Sequence, residues 1–147
     1  LAKLPPPKLG PVEVNSILRR TTGIETRMAV FFEESAPLTI QADADQLEQV
    51  LINLIRNAVD AAQITGGRVF VRHTHTPANV SITVRDEGPG LSNTANLFVP
   101  FFTTKRGGSG IGLVLSRQIA EVHNGSLSLR NAPDGPGCEA VLVLPVQ

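Results

Sequence analysis

The chain has 147 residues, of which 41% are hydrophobic, and this is enough for one domain with a single core. Thirteen basic and thirteen acidic residues cancel, so the chain lacks the positive charge that attracts DNA or an anionic membrane surface, and nucleic acid is disfavoured as the principal partner. The single cysteine, Cys138, cannot form an internal disulfide, and no apolar run reaches the ~20 residues of a membrane helix. A cytoplasmic domain is therefore expected, whether its parent protein is soluble or membrane-bound.

The first forty residues predict a linker, a short helix and two strands. Four prolines between residues 4 and 11 favour extended backbone, so we expect residues 1–11 to be a linker from an upstream region absent from this sequence. Residues 12–147 would form the domain, with a short helix at 12–21. Apolar and polar residues alternate over 26–41 around a turn at Pro37, and this pattern predicts two strands.

The next element is the most strongly predicted helix in the chain. Asp43, followed three residues later by Gln46, is typical of a helix N-terminus, and Gly66 with Gly67 is typical of a helix end. Apolar side chains recur between them at helical spacing. They are Leu47, Val50, Leu51, Leu54, Ile55, Ala58, Val59 and Ala62.

The second half of the chain predicts a hairpin followed by a long loop. Two segments of alternating pattern, 68–75 and 78–86, are separated by a Thr-Pro turn and should pair. The stretch from Gly88 to Gly112 is rich in glycine, proline, serine and threonine, and a compact domain seldom keeps so long a loop unless it binds something. We therefore expect a lid at about 91–109.

A last helix at 111–123 and two strands at 127–130 and 139–144 complete the predicted elements. The expected fold class is α+β, in two layers. A mixed, mostly antiparallel sheet of about five strands should carry three helices on one face.

Two asparagines on the strongly predicted helix are candidates for a magnesium site. Asn53 and Asn57 lie four residues apart on one side of the helix, at the margin of its apolar stripe, with Asp60 beside them. An amide oxygen is a hard ligand that suits Mg²⁺, which usually keeps several waters. The alternative is that both side chains only hydrogen-bond neighbouring backbone.

The sequence Asp-Glu-Gly-Pro-Gly after the hairpin is a candidate adenine site. Gly88 and Gly90 permit a sharp turn with backbone close to a flat ligand. The Asp86 carboxylate could accept a hydrogen bond from an exocyclic amine, which adenine has where guanine presents a carbonyl. The alternative is an ordinary turn that begins with aspartate.

The glycine-rich run from Gly108 to Leu113 leads directly into the last helix and could bind phosphate. Free backbone amides and the helix dipole favour anions there, and Lys105, Arg106 and Ser109 add charge and donors. The run lacks the Gly-Lys-Ser/Thr end of a P-loop and does not complete Gly-x-Gly-x-x-Gly, so both of those motifs are excluded. The nearby phenylalanines are read as the anchor of the lid. They are Phe98, Phe101 and Phe102.

The order of these motifs resembles the catalytic, ATP-binding domain of sensor histidine kinases, in the superfamily that also contains gyrase, HSP90 and MutL. The N box is matched by residues 49–58, the G1 box by 86–90, the F box by 98–105 and the G2 box by 108–113. The resemblance covers the chain from about Asp43 to its end. It implies the Bergerat-type ATP-binding fold, with ATP and Mg²⁺ as cofactors.

The resemblance also implies roles for individual residues. Asn57 would hold the metal, Asn53 would approach the phosphates, and both would be the catalytic side chains. Asp86 would bind the adenine amine, while Lys105 and Ser109 would contact phosphate. The nucleotide-binding set implied in full is Asn53, Asn57, Asp60, Asp86, Gly88, Gly90, Phe102, Thr104, Lys105, Ser109, Gly110, Ile111, Gly112 and Leu113.

Asn53 favours the kinase branch over the ATP-hydrolysing relatives. Those relatives resemble this helix but have a glutamate at that position to activate water, and asparagine cannot act as a base near neutral pH. Glu48 is not expected to substitute, because five residues correspond to about 500° of helix rotation and should direct it to the far side.

No histidine here is expected to be the phosphate acceptor, which in the resembled family precedes an acidic residue on a separate helical hairpin. His73 and His75 alternate along a strand, where we expect them to be exposed or paired across the sheet, and His123 ends a helix. The isolated domain should therefore bind Mg-ATP as a monomer without phosphorylating itself. The implied partners are a histidine-bearing dimerisation domain of a homodimeric parent, and a response regulator. An anti-sigma-type serine kinase and a non-catalytic nucleotide-binding module remain as alternatives.

Overall fold

The computed structural model describes residues 4–91 and 111–147, except for the side chain of Ile111. Within these residues the chain forms three helices and seven strands. In chain order they are β1 Gly10–Glu13, α1 Val14–Ile24, β2 Val30–Phe32, β3 Thr39–Ala42, α2 Ala44–Thr65, β4 Val69–His75, β5 Asn79–Asp86, α3 Ile111–Val122, β6 Ser126–Asn131 and β7 Cys138–Pro145. None of the helices in the described part has the length and apolar character needed to cross a membrane.

Five strands form one sheet in the order β2-β4-β5-β7-β6, with β2 parallel to β4 and the other neighbours antiparallel. Strands β1 and β3 pair separately as an antiparallel ribbon. The core lies between the three helices and the sheet face that carries Val71, Ile82 and Leu142. The predicted α+β fold, a mixed sheet of five strands with three helices on one face, is confirmed.

Helix α2 has the termini that the sequence predicts. Asp43 Oδ1 accepts hydrogen bonds from the backbone N–H groups of Asp45 and Gln46, both at 3.1 Å. Gly66 ends the helix in the left-handed conformation, with φ of 73°, which a glycine adopts without steric cost. All eight apolar residues predicted from the helical spacing are buried. This helix is the structural support for the candidate asparagines.

Strand β1 was not expected, and it precedes α1, which begins at Val14 rather than at residue 12. The local pattern around Pro11 gives no strand signal, because β1 is held by β3, about thirty residues away in sequence. Upstream of β1, Lys8 N–H donates to the Asp43 carboxylate at 2.9 Å. The boundary of the proposed linker at residue 11 stays a prediction.

His73 lies in the core, contrary to the expectation that it is exposed or paired across the sheet. It is 1% exposed, and its Nε2 lies 2.7 Å from Asn15 Oδ1. Because an amide oxygen only accepts, Nε2 carries the proton and donates. Asn15 Nδ2 in turn donates to the carbonyl of Ser35 at 2.9 Å. His75, the last residue of β4, is exposed as expected.

Stability is expected to fall in mild acid because of His73. Burial lowers the pKa of this imidazole. The contribution of neutral His73 to the free energy of unfolding is therefore complete above the unfolded pKa of about 6.5. This contribution is lost as the pH falls from there through the folded pKa. Urea unfolding at pH 7.5 and pH 5.5 should show a decline of up to about 1.4 kcal/mol per pH unit from this one proton. The decline should be smaller in His73→Gln.

His75→Gln is the matched control, because it removes an exposed histidine from the same strand. It should keep the pH dependence of the parent chain. Parallel pH profiles for the parent chain and His73→Gln would exclude His73 as the source of the acid sensitivity.

Candidate functional site

Asp86 is the last residue of β5 and points toward the helix layer. It is 5% exposed, and its Oδ1 accepts the N–H of Gly88 at 2.9 Å. Burial raises the pKa of this carboxyl, and hydrogen bonds from the backbone of Gly88 and Cys138 oppose that rise. Asp86 thus makes the bond of an ordinary turn and is also a largely desolvated acceptor, as a recognition group in a pocket requires.

The turn after Asp86 needs its glycines because it passes close to α2. A Cβ on Gly88 would lie 2.7 Å from the backbone carbon and oxygen of Ala61. Gly90 has φ of 86°, in the left-handed region that side chains avoid. The close approach places the turn against Ala61, which lies one helical turn after Asn57 on the same face of α2. The structure therefore brings the predicted adenine and metal motifs to neighbouring positions.

Asn53 links α2 to α3. Its Nδ2 lies 3.0 Å from the hydroxyl oxygen of Ser116 and donates to it, and Ser116 is 2% exposed. A Cβ on Gly112 would lie 2.5 Å from Asn53 Oδ1, so a side chain at this position would force the Asn53 amide to move. Asn53 therefore has a side-chain partner on another helix rather than the backbone partner of the alternative interpretation.

Ser116 is a site residue that sequence reasoning missed. It lies four residues after Gly112, so both face the same side of α3 and both contact Asn53. The i, i+4 spacing from the glycine motif is the signal that could have indicated it. The hydroxyl fixes the orientation of the Asn53 amide.

A cleft of about 410 Å³ lies between α2 and α3. Its lining among the described residues is Asp45, Glu48, Gln49, Ile52, Asn53, Arg56, Gly112, Leu115 and Ser116. Glu48 and Asn53 both border this cleft, but the Asn53 amide binds Ser116 of α3 whereas the Glu48 carboxylate binds Arg20 of α1. The expectation that Glu48 does not substitute for the missing base stays a prediction. The Glu48 carboxylate forms an ion pair with Arg20, so it is held at the rim by a cation of α1.

Asn57 and Asp60 lie on α2 beyond Asn53, and both side chains are half-buried. The Asp60 carboxylate lies 2.6 Å from Arg27 Nη1, and Arg27 also binds the Glu25 carboxylate at 3.0 Å. The two carboxylates raise the pKa of Arg27 still further above its ordinary value. Because Arg27 compensates its charge, Asp60 can lie beside a polyanion without strong repulsion.

Only the end of the predicted phosphate loop can be described. Gly112 and Leu113 stand in the first turn of α3, and Leu113 packs against the core. The backbone of Ile111 begins α3, as predicted. The other predicted contacts lie outside the described residues. They are Phe102, Thr104, Lys105, Ser109 and Gly110.

The donor set around Asn57 fits a magnesium ion that is bound mainly through nucleotide phosphates. Among residues 4–91 and 112–147 no three His, Cys, Asp or Glu side chains cluster as a metal site. Mg²⁺ commonly takes only one or two protein ligands and completes its shell with phosphate oxygens and water. A half-buried amide oxygen on a rigid helix is compatible with that pattern.

Comparison with known proteins gives one consistent relationship. The family described as histidine kinase-, DNA gyrase B- and HSP90-like ATPase matches residues 42–147. The chain is 38% identical to the C4-dicarboxylate transport sensor protein DctS of Rhodobacter capsulatus, over 95% of this chain and 23% of that protein. It is 36% identical to the signal transduction histidine-protein kinase AtoS of Escherichia coli, over 92% of this chain and 22% of that protein.

The fold gives the same relationship. The mycobacterial sensor histidine kinase MprB superposes with a TM-score of 0.82 at 29% identity, over 93% of this chain and 97% of that structure. This chain spans less than a quarter of the length of DctS and AtoS. With the matched motifs in place on α2, β5 and α3, the chain belongs to the histidine kinase-, DNA gyrase B- and HSP90-like ATPase family, as an ATP-binding catalytic domain of the sensor histidine kinase type.

Proposed function

We propose that this domain positions Mg-ATP for transfer of its γ-phosphoryl group to a histidine on a separate dimerisation domain of the parent protein. The observation that carries the proposal is the amide of Asn53, held by Ser116 at the end of the cleft where a hydrolysing relative would need a carboxylate. An amide cannot remove a proton from water. The site therefore favours holding ATP for an external nucleophile over hydrolysing it.

The adenine end of the nucleotide would be recognised by Asp86. Its buried carboxylate can accept the exocyclic amine, and Gly88 and Gly90 let the backbone approach the flat base. A desolvated acceptor discriminates well, because a ligand that fails to donate leaves it unpaired. Asp86 thus supports ATP over GTP.

The phosphate end would lie near α2 and the start of α3. Asn57 would supply the protein ligand to Mg²⁺, and the bound ion would neutralise the charge of the β- and γ-phosphates. Asn53 on α2 and the backbone amide of Gly112 on α3 lie close together, and both would bind phosphate, one from each helix. Lys105, Ser109 and the amide of Gly110 complete the proposed phosphate contacts.

The phosphoryl group would then pass from the histidine to a response regulator. Within the proposal, the parent is a homodimer through its dimerisation domain, while the isolated ATP-binding domain is a cytoplasmic monomer. The names of two relatives support the signalling role, because DctS is named as a sensor protein and AtoS as a signal transduction histidine-protein kinase.

Mixing the domain with the parent's histidine-bearing hairpin and γ-labelled ATP tests the proposal. Label is expected on the hairpin histidine, as acid-labile phosphate, and only when both components are present. The domain alone should stay unlabelled, because none of its three histidines precedes an acidic residue as the acceptor of the resembled family does. Label on serine would favour the serine-kinase alternative, and ATP binding without any transfer would favour the non-catalytic module. Stoichiometric self-labelling of the domain would contradict the proposal.

A further inference from the structure

The sheet face opposite the helices carries a row of large side chains that the nucleotide site does not use. The strand register places one outward residue from each of the five strands side by side. From β2 to β6 they are Phe31, Phe70, Arg85, Glu139 and Arg130. One end of the row is therefore aromatic, and the middle is cationic and acidic.

The aromatic end borders a pocket of about 420 Å³. Phe31 is 50% exposed and stacks on Phe70, with ring centroids 5.6 Å apart, while the Arg68 guanidinium lies 5.2 Å from the Phe70 centroid. An exposed aromatic pair braced by a cation is a rigid apolar platform. The described lining of the pocket is Phe31, Phe32, Glu33, Phe70, Val71, Arg72, Thr83 and Arg85.

Charge pairing on this face leaves one cation poorly satisfied. Arg130 binds Glu139 at 2.9 Å and Arg68 binds Glu87 at 2.9 Å, while Arg72 reaches Glu139 only at 3.9 Å. Arg85 Nε is buried and has no hydrogen-bond partner in the part of the chain that the structure describes. Arg72 and Arg85 both line the pocket, so an ionised acceptor there could form charge-assisted hydrogen bonds with the accessible ends of their guanidinium groups.

We propose that this pocket binds an acidic segment of a partner protein, with a carboxylate on Arg85 and Arg72 and an adjacent apolar side chain on Phe31. The guanidinium groups supply the charge complementarity, and the phenylalanine pair supplies the apolar contact. A nucleic acid strand fits less well, because the chain has no net positive charge to hold successive phosphates. The site lies on the other side of the sheet from Asp86 and is independent of the phosphoryl-transfer proposal.

The probe is the peptide acetyl-Glu-Leu-Asp-Phe-Glu-amide, titrated into the isotope-labelled domain and followed by amide chemical shifts. Saturable shifts are expected on β2, β4 and β5, at Phe31, Phe70, Arg72 and Arg85. Arg85→Gln should weaken the peptide at least about fivefold, because it removes a charged hydrogen-bond donor. A neutral peptide, with Gln and Asn in place of Glu and Asp, is titrated into the parent chain. Its binding should be weakened at least about as much as the binding of the acidic peptide to Arg85→Gln.

Arg19→Gln is the control, since it removes the same charge from an exposed arginine on α1 rather than on this sheet face. It should bind the acidic peptide like the parent chain, and Arg85→Gln should keep the parent affinity for Mg-ATP, which shows that the fold is intact. The proposal is overturned by the lack of saturation by millimolar peptide, by equal weakening in both arginine variants, or by tighter binding of an oligothymidylate than of the peptide. Concentration-dependent self-association through the same residues would instead assign the face to a second copy of the chain, and would also overturn it.

Discussion

Asp86→Asn is expected to weaken ATP binding by at least about tenfold, ~1.4 kcal/mol. The variant keeps the size of the side chain and an oxygen for the Gly88 N–H, but it loses the charge that accepts the adenine amine most strongly. It should also narrow the preference for ATP over GTP. Calorimetric titrations belong at pH 7.5, because burial raises the pKa of Asp86 and acid would neutralise the same carboxylate in the parent chain.

Asn57→Ala makes this test more specific. If Asn57 is the protein ligand of Mg²⁺, its loss should weaken ATP binding by a similar factor when magnesium is present. The loss should have little effect on ATP binding when magnesium is chelated. Asp86→Asn should weaken ATP in both conditions. Asn79→Ala, a change of an exposed residue at the far end of the same β5 strand, should leave ATP binding unchanged with and without magnesium. If both site variants stay within tenfold of the parent chain in magnesium, the site assignment is wrong.

Gly137→Ala is expected to lower the free energy of unfolding by about 3 kcal/mol or more, through backbone strain and overpacking together. Gly137 has φ of 121°, and a Cβ there would lie 1.9 Å from the carbonyl oxygen of Asp86. Backbone cannot move aside as a flexible side chain would. The turn between β6 and β7 therefore has to shift, and the end of β5 with it, so the ATP affinity should fall as well.

Gly135→Ala is a close control for that change. Gly135 lies in the same turn with φ of 145°, but a Cβ there would meet no atom within 4 Å. Gly135→Ala therefore has the same kind of backbone strain without the collision. It should lower the free energy of unfolding by only about 1–3 kcal/mol and leave the ATP affinity unchanged. Urea unfolding of both variants measures the difference. Equal destabilisation would mean that the contact with Asp86 is not what requires glycine at 137.

The contact between Gly137 and Asp86 is one that local sequence patterns do not predict. The sequence predicted the segment between the last two strands and the strand that ends at Asp86 as separate features. It could not predict that they touch, because the contact depends on β5 and β7 being neighbours in the sheet. Register pairs Asp86 with Cys138, fifty-two residues later, and this places Gly137 over the Asp86 carbonyl.

The error at His73 has the same origin. This side chain was expected to be exposed or paired across the sheet, yet Asn15 from α1 makes its polar contact inside the core. Asn15 is fifty-eight residues away in sequence, so the alternation of residues along β4 could not indicate the contact.

The sequence by itself determined the motif order, the span and termini of α2, the pairing of β4 with β5, the α+β class and the resemblance to an ATP-binding kinase domain. These follow from local periodicity, capping and glycine placement, which act within a few residues. Only the tertiary structure decided that Ser116 orients Asn53, that Arg27 compensates Asp60, and that Gly88 brings the Asp86 turn against α2. Each of these depends on contacts between elements far apart in sequence, which exist only once the helices have packed on the sheet.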